Sequence, residues 1–322
     1  MDVFTHIALF LSSAAVIWFF AGTLINAVNR VAMRFHKSGF GVAFVLLGFL
    51  TSISEISVAV NSTINKVPQV SIGNLVGASF VLLALIIPIL AIAGNGIKLR
   101  RTISPTALKL SLVAIILPAL FVIDGNITRG EGILAVLVYI TVLFALRGHK
   151  SSLEEVRAIQ HNLAKNNDTI WDSIKILIGA IFIFIAGHFL VEEAVYFSNI
   201  LSVPSSLIGL ILLSVGTNVP ELVIAFRSIL SKHKDIAFGD YIGSAVTNTP
   251  IFGILALVSG KFAVEASEFI ATTILMLVAM LFFYFFAKSR DTITRKEGLT
   301  LLVFYVAFLV VQTSNLIRFS TD

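Results

Sequence analysis

The chain has no cysteine, which removes disulfide bridges and thiolate metal sites from consideration. Charge is scarce too: Asp, Glu, Lys and Arg make up 13% of the 322 residues, against roughly 25% in an ordinary soluble domain. No G-x-x-x-x-G-K-[ST] phosphate loop occurs anywhere, so nucleotide-driven work has no signature. Nor does a serine, histidine and carboxylate set accompany the buried acids, and an enzyme is not expected. A soluble multidomain protein is excluded by the shortage of polar surface. What fills the chain instead is apolar: 57% of residues are hydrophobic and the mean hydropathy is +0.98. Runs of bilayer-spanning length repeat from end to end, the mark of a membrane protein.

Cutting the chain at its polar clusters gives about ten spans, approximately 3–27, 40–64, 69–95, 104–123, 131–146, 171–190, 204–228, 236–259, 266–287 and 298–317. The first follows the acidic Asp2 rather than a basic segment and outlasts a leader's apolar core, so it is expected to be a true span. Basic residues alternate between connectors. Arg30, Arg34 and Lys37, then Lys98, Arg100 and Arg101, then Arg147, Lys150, Arg157 and Lys165, then Lys232 and Lys234, then Lys288, Arg290, Arg295 and Lys296 all fall on one side if the count is even. By the positive-inside rule that side is cytoplasmic and both termini face outward, in a plasma or inner membrane. The net charge of +5 then reflects topology, and no nucleic acid partner, protein partner or cofactor is expected. The polar segment 147–170 separates the halves 1–146 and 171–322 and reads as a cytoplasmic linker. Its Leu153, Val156, Ile159 and Leu163 recur at helical spacing, so a short interfacial helix and a plain tether fit equally.

The two halves share a pattern. Residues 48–80 align without a gap on 214–246, so that Thr51, Glu55, Gly73 and Gly77 match Thr217, Glu221, Gly239 and Gly243 at a constant offset of 166. The first copy (about 40–95) starts on an inside-to-outside span and the second (about 204–259) on the reverse, giving an all-α polytopic fold of two inverted repeats of five helices. Inverted repeats with polar, interrupted helices at matching places point to a secondary transporter with its site at the midplane. Glu55 and Glu221 lie deep in their spans, where an ionised carboxylate costs at least about 2.5–3.5 kcal/mol. Few bases are at hand: Lys109 and Lys175 sit near span ends and Arg227 can snorkel. A proton or a cation is the expected compensation. Thr51 and Glu55, like Thr217 and Glu221, are i, i+4 pairs on one helical face. Pro220 offers no N–H to the carbonyl of Gly216, so the backbone at Gly216 and Thr217 is expected to open and free carbonyl oxygens. Ser52 and Asn218 add a hydroxyl and an amide oxygen, and Ser244 and Asn248 reach toward the same cavity from the following helix. Such hard oxygens suit calcium or sodium rather than zinc or copper. Asn74 and Asp240 read as capping or mouth residues. The Gly73/Gly77 and Gly239/Gly243 spacings mark close helix packing.

On these residues, "GFLTSISE" with "GNLVGASF" and "SVGTNVPE" with "GDYIGSAV", the chain resembles the calcium/cation antiporter superfamily, particularly the sodium/calcium exchangers. That resemblance implies ten helices in two inverted repeats, and an exchange of calcium or a similar cation for sodium by alternating access. It implies Glu55 and Glu221 as principal cation ligands, backbone carbonyls from Thr51 and Thr217, and hydroxyls from Ser52 and Ser244, with Asn248 where the family places an acid or amide. The departures are Ser54 for the motif's proline, Asn218 and Ala78 for serines, and Leu82 for an asparagine. They leave the first half poorer in oxygen, which opens the alternative of a cation/proton antiporter sharing Glu55 and Glu221. A passive cation channel is the reading from another class. His6 and His188 near span ends read as polar contacts, and Trp18 and Trp171 as packing or interface residues.

Overall fold

A computed structural model describes residues 2–34, 52–99, 105–146, 169–231, 234–290 and 292–321. The helices are α1 (Val3–Arg34), α2 (Ile53–Ile64), α3 (Pro68–Ala93), α4 (Pro105–Phe121), α5 (Arg129–Leu146), α6 (Thr169–Leu201), α7 (205–217), α8 (Val219–Ser231), α9 (Lys234–Ser259), α10 (Ala266–Arg290) and α11 (Arg295–Thr321). Four two-residue strands lie between them: β1 (Ile97–Lys98), β2 (Asn126–Ile127), β3 (Phe262–Ala263) and β4 (Thr292–Ile293). Among the described residues eight helical segments are long and apolar enough to cross a bilayer. Of the other two expected spans, 131–146 is α5, and 40–64 is described only from Ser52 onward. The chain is an all-α polytopic membrane protein. The linker 147–170 falls outside the described residues except for the first two residues of α6.

The strands tie the halves together. β1 pairs antiparallel with β4 (Ile97 opposite Ile293), and β2 with β3 (Asn126 opposite Ala263). Asn126 and Ile127 stand 166 residues before Thr292 and Ile293, and Ile97 and Lys98 stand 165 before Phe262 and Ala263. Each strand's counterpart therefore sits in the other sheet. α4 runs from the β1–β4 sheet to the β2–β3 sheet, whereas its counterpart α10 runs back again. Thr273 of α10 donates to the carbonyl of Ala119 near the end of α4 at 3.0 Å, in keeping with antiparallel helices. Opposite directions for equivalent elements are what two oppositely inserted copies would have.

The repeat also reaches the helix starts. Thr128 and Glu131 form a capping box at α5: the Thr128 N–H donates to Glu131 Oε2 at 2.7 Å, and the Glu131 N–H to Thr128 Oγ1 at 3.4 Å. Thr294 and Glu297, 166 residues on, do the same at α11, at 2.7 and 3.3 Å. Both acids, which look like loop charges in the sequence, satisfy amide groups that a helix start would otherwise leave orphaned.

At the centre, α3 is sealed on nearly every side from Pro68 to Leu83. Its glycines explain how. A Cβ on Gly73 would lie 1.9 Å from the carbonyl oxygen of Ser206, and one on Gly77 2.4 Å from that of Leu210. From the other helix, a Cβ on Gly209 would lie 2.1 Å from the carbonyl of Val70. α3 and α7 thus cross backbone to backbone, as the glycine spacing predicts. Each helix also carries a π turn, Leu82–Ile86 in α3 and Gly209–Leu213 in α7. In α3 the Ile87 N–H bonds the carbonyl of Leu82, five residues back, just before Pro88 removes a donor.

α1 and α6 lie together on the flank. Phe20 stacks on Phe182 with centroids 4.4 Å apart, and His6 stacks on Tyr196 while its Nδ1 meets Glu193 Oε2 at 2.8 Å. His6 is therefore a polar contact between helices, as expected for it. His188 meets Glu192 at 3.2 Å, one turn along α6. α6 is fastened to α2 by Ser57, which donates to the carbonyl of Ile183 at 2.9 Å, and by Asn61, which donates to that of Phe184 at 3.0 Å.

Candidate cation-binding site

Two helix starts face each other across the centre, and the second of them interrupts a helix. α2 is entered through Ser52 (φ −90°, ψ 21°) and α8 through Asn218 (φ −94°, ψ 7°), residues that the repeat makes equivalent. Both occupy the sparsely populated bridge region. The first start has the same backbone without a proline two residues on. At the second, the chain does not unwind at Gly216 and Thr217 as the sequence suggested. It tightens instead: the Asn218 N–H reaches back only to Val215, at 3.2 Å, and α8 resumes at Val219. The break lies one residue later than expected because Pro220 then occupies the second position of a new helix, where its missing N–H costs nothing.

Just past these starts stand Glu55 and Glu221, 1% and 2% exposed. Burial of that order excludes solvent as their source of compensation. Glu55 makes no ion pair with Lys or Arg among the described residues. Ser54 Oγ lies 2.8 Å from Glu55 Oε2 and 3.3 Å from the carbonyl oxygen of Thr217. A hydroxyl has one proton, so it can serve only one of them at a time. Ser54 thus connects the first carboxylate to the break at Asn218. Ser52 Oγ and Ser244 Oγ approach to 3.3 Å, linking α2 to α9. The Thr217 hydroxyl donates to Asn74 Oδ1 at 3.2 Å, linking α7 to α3. Tyr241 donates its phenol O–H to the backbone carbonyl of Glu221 at 2.9 Å.

The amides are half used. Asn218 Nδ2 donates to the carbonyl of Ser214 at 2.7 Å, and Asn248 Nδ2 to Ser79 Oγ at 3.0 Å. Their oxygens, Asn218 Oδ1 and Asn248 Oδ1, are buried and accept nothing among the described residues. Buried acceptors are rarely left so. With each nitrogen anchored to protein, each amide presents an oxygen, which is what a hard cation takes.

Of the expected site residues, Ser52 meets Ser244, and Glu55 and the Thr217 carbonyl share Ser54; Asn218 and Glu221 follow Thr217 directly, Asn248 lies one turn beyond Ser244, and Thr51 lies outside the described residues. Asn74 is not a mouth residue: it is fully buried in mid-helix and holds Thr217. Sequence reasoning did not anticipate that contact, although the match of Asn74 to Asp240 marked the position. Ser54 and Ser79 were missed as partners of Glu55 and Asn248, since helical spacing tells which face a residue is on and not what lies opposite.

The model of the family described as sodium/calcium exchanger protein matches residues 5–147 and 173–314. The chain belongs to that family. Relatives of this exchanger-family protein include the sodium/calcium exchanger MaX1 of Methanosarcina acetivorans, 26% identical, with 89% of this chain and 92% of that one covered. Another is the inner membrane protein YrbG of Escherichia coli, 21% identical, with 78% and 79% covered. Solved structures share the fold: the H+/Ca2+ exchanger CAX at TM-score 0.76 and 14% identity, covering 98% of this chain and 86% of that one. The sodium-calcium exchanger NCX_Mj follows at TM-score 0.64 and 20% identity, covering 96% and 99%.

Proposed function

We propose that this protein is a secondary active antiporter that exchanges calcium, or a similar hard cation, for sodium by alternating access. Glu55 and Glu221 are the principal ligands, with carbonyl oxygens from Thr51 and Thr217, hydroxyls from Ser52 and Ser244, and amide oxygens from Asn218 and Asn248. One observation carries the reading: two solvent-free carboxylates flank amide oxygens whose nitrogens are already tied down and whose oxygens accept nothing among the described residues. A buried carboxylate such as Glu55, with no Lys or Arg partner among the described residues, calls for positive charge in such a cluster. The pair α1 and α6 moves against the core of α2, α3, α7, α8 and α9, and the halves 1–146 and 171–322 are joined by the linker 147–170 on the cytoplasmic side. Both termini face outward, in a plasma or inner membrane.

The test is flux into vesicles holding purified protein. Calcium uptake that follows an imposed sodium gradient supports the reading, and uptake indifferent to any counter-ion indicates a channel and refutes it. A second reading, cation/proton exchange on the same carboxylates, is favoured by a specific asymmetry. Leu82 and Ala78, both buried, stand where the second copy has Asn248 and Ser244, so the first copy offers fewer neutral oxygens to sodium. Uptake that follows a pH gradient and ignores sodium selects it.

A further inference from the structure

A third buried carboxylate lies outside this site. Glu268, in the first turn of α10, is 0% exposed. Ser206 Oγ donates to its Oε2 at 2.7 Å, while its Oε1 is sealed with no hydrogen-bond partner among the described residues. Around it the polar groups are spoken for: Gln312 Nε2 of α11 bonds the backbone carbonyl of Glu268 at 3.3 Å and also the Thr272 hydroxyl, and Gln312 Oε1 accepts from Asn315 at 3.2 Å. No ion pair joins Glu268 to a basic side chain among the described residues. The charged groups at this end include Lys66 before α3, Asp124 on the turn after α4, Arg129 and Glu131 at the start of α5, Lys261 and Glu265 before α10, and Arg318 two turns beyond Gln312 on α11. Glu265 adds like charge rather than relief.

We propose that Glu268 is a proton-binding site separate from the central cavity. A calcium or sodium ion needs a shell of several oxygens, and among the described residues the Glu268 carboxylate meets a single side-chain hydroxyl, in a fully buried place. A proton needs a single lone pair. The site is separate because Ser206 precedes Asn218, where the helix breaks before Glu221, by twelve residues, about 18 Å at 1.5 Å per residue. It is nonetheless connected, since Ser206 belongs to the α3–α7 crossing, its carbonyl oxygen being the atom that a Cβ on Gly73 would strike. Gain or loss of the proton changes the partner of the Ser206 hydroxyl, and α7 leads from there through its π turn to Thr217, Asn218 and Glu221.

Infrared difference spectra of the purified full-length protein, recorded between acidic and alkaline buffer, test this without any transport and so apart from the proposed exchange. A titrating protonated-carboxyl band that is lost in Glu268→Gln and persists in Glu55→Gln and Glu221→Gln is the expected result. A band unchanged in Glu268→Gln, or lost only in the central variants, would overturn the proposal. Should Glu268→Gln not fold, Ser206→Ala carries the test: a displaced midpoint of that band supports the site and an unmoved one overturns it.

Discussion

The two copies of the motif start their carboxylate helices alike and differ in their oxygens. Ser52 and Asn218 precede those helices with nearly the same dihedral angles, yet only the second copy has a proline two residues on. In the first copy, Ser54 takes the proline's place and turns its hydroxyl toward Glu55. In the second, Asn218 and Asn248 hold their oxygens unshared among the described residues. Thus like helix starts carry unlike side chains at four equivalent places, Ser52/Asn218, Ser54/Pro220, Ala78/Ser244 and Leu82/Asn248. On the proposed function, that difference sets how many neutral ligands each half gives.

The most severe way to break that comparison is to neutralise its shared element. Glu55→Gln and Glu221→Gln are each expected to reduce counter-ion-dependent calcium flux to that of empty vesicles, with the protein still inserted and monodisperse in detergent. Substantial flux in either variant would remove that carboxylate from the site. Next in size is the crossing. Gly73→Ala places a methyl group against the Ser206 backbone, where neither side is a flexible chain end, and should destabilise the protein by at least about 1–3 kcal/mol. A thermal unfolding midpoint equal to that of the parent would deny the close approach. A smaller effect is expected for oxygens. Asn248→Ala should weaken cation affinity roughly tenfold, the equivalent of about 1.4 kcal/mol, and Leu82→Asn should strengthen it if the first copy lacks a ligand there. Binding isotherms measure both, and equal affinities in all three proteins would erase the asymmetry. The smallest effect belongs to Ser54→Pro. Residue 54 is the second of its helix, as Pro220 is, so the backbone accommodates the ring and the loss of the buried hydroxyl at Glu55 should cost about 1 kcal/mol. A large loss of stability would mean that the Ser54 N–H or hydroxyl holds α2 in place.

The spans, the repeat and the two carboxylates were legible in the sequence because each rests on local rules: hydropathy over a window, a constant offset, a charge where charge is costly. The glycine crossing was legible for the same reason, since Gly73 and Gly77 mark a close face whatever the partner. Other features depend on which helices meet and in what register. Asn74 reads as a capping residue near a helix start until α7 is laid across α3 and Thr217 falls against it. Ser54 reads as a lost proline until Thr217 of the other half lies beside it. The capping boxes at Thr128/Glu131 and Thr294/Glu297 were there to be found, in "TRGE" and "TRKE" at the same offset, and extend the repeat well beyond the carboxylate motif. Glu268 escaped notice because a single acid at the edge of an apolar run looks like a solvated flank.

The central claim is that Glu55 and Glu221 form one cavity whose buried charge is met by an exchangeable cation. Calorimetric titration of the purified protein with calcium, in the absence and presence of sodium or at shifted pH, tests it most directly. The account predicts one binding event that the competing ion displaces and that vanishes in both Glu55→Gln and Glu221→Gln. Calcium binding that survives either substitution, undisturbed by sodium and by pH, would contradict it.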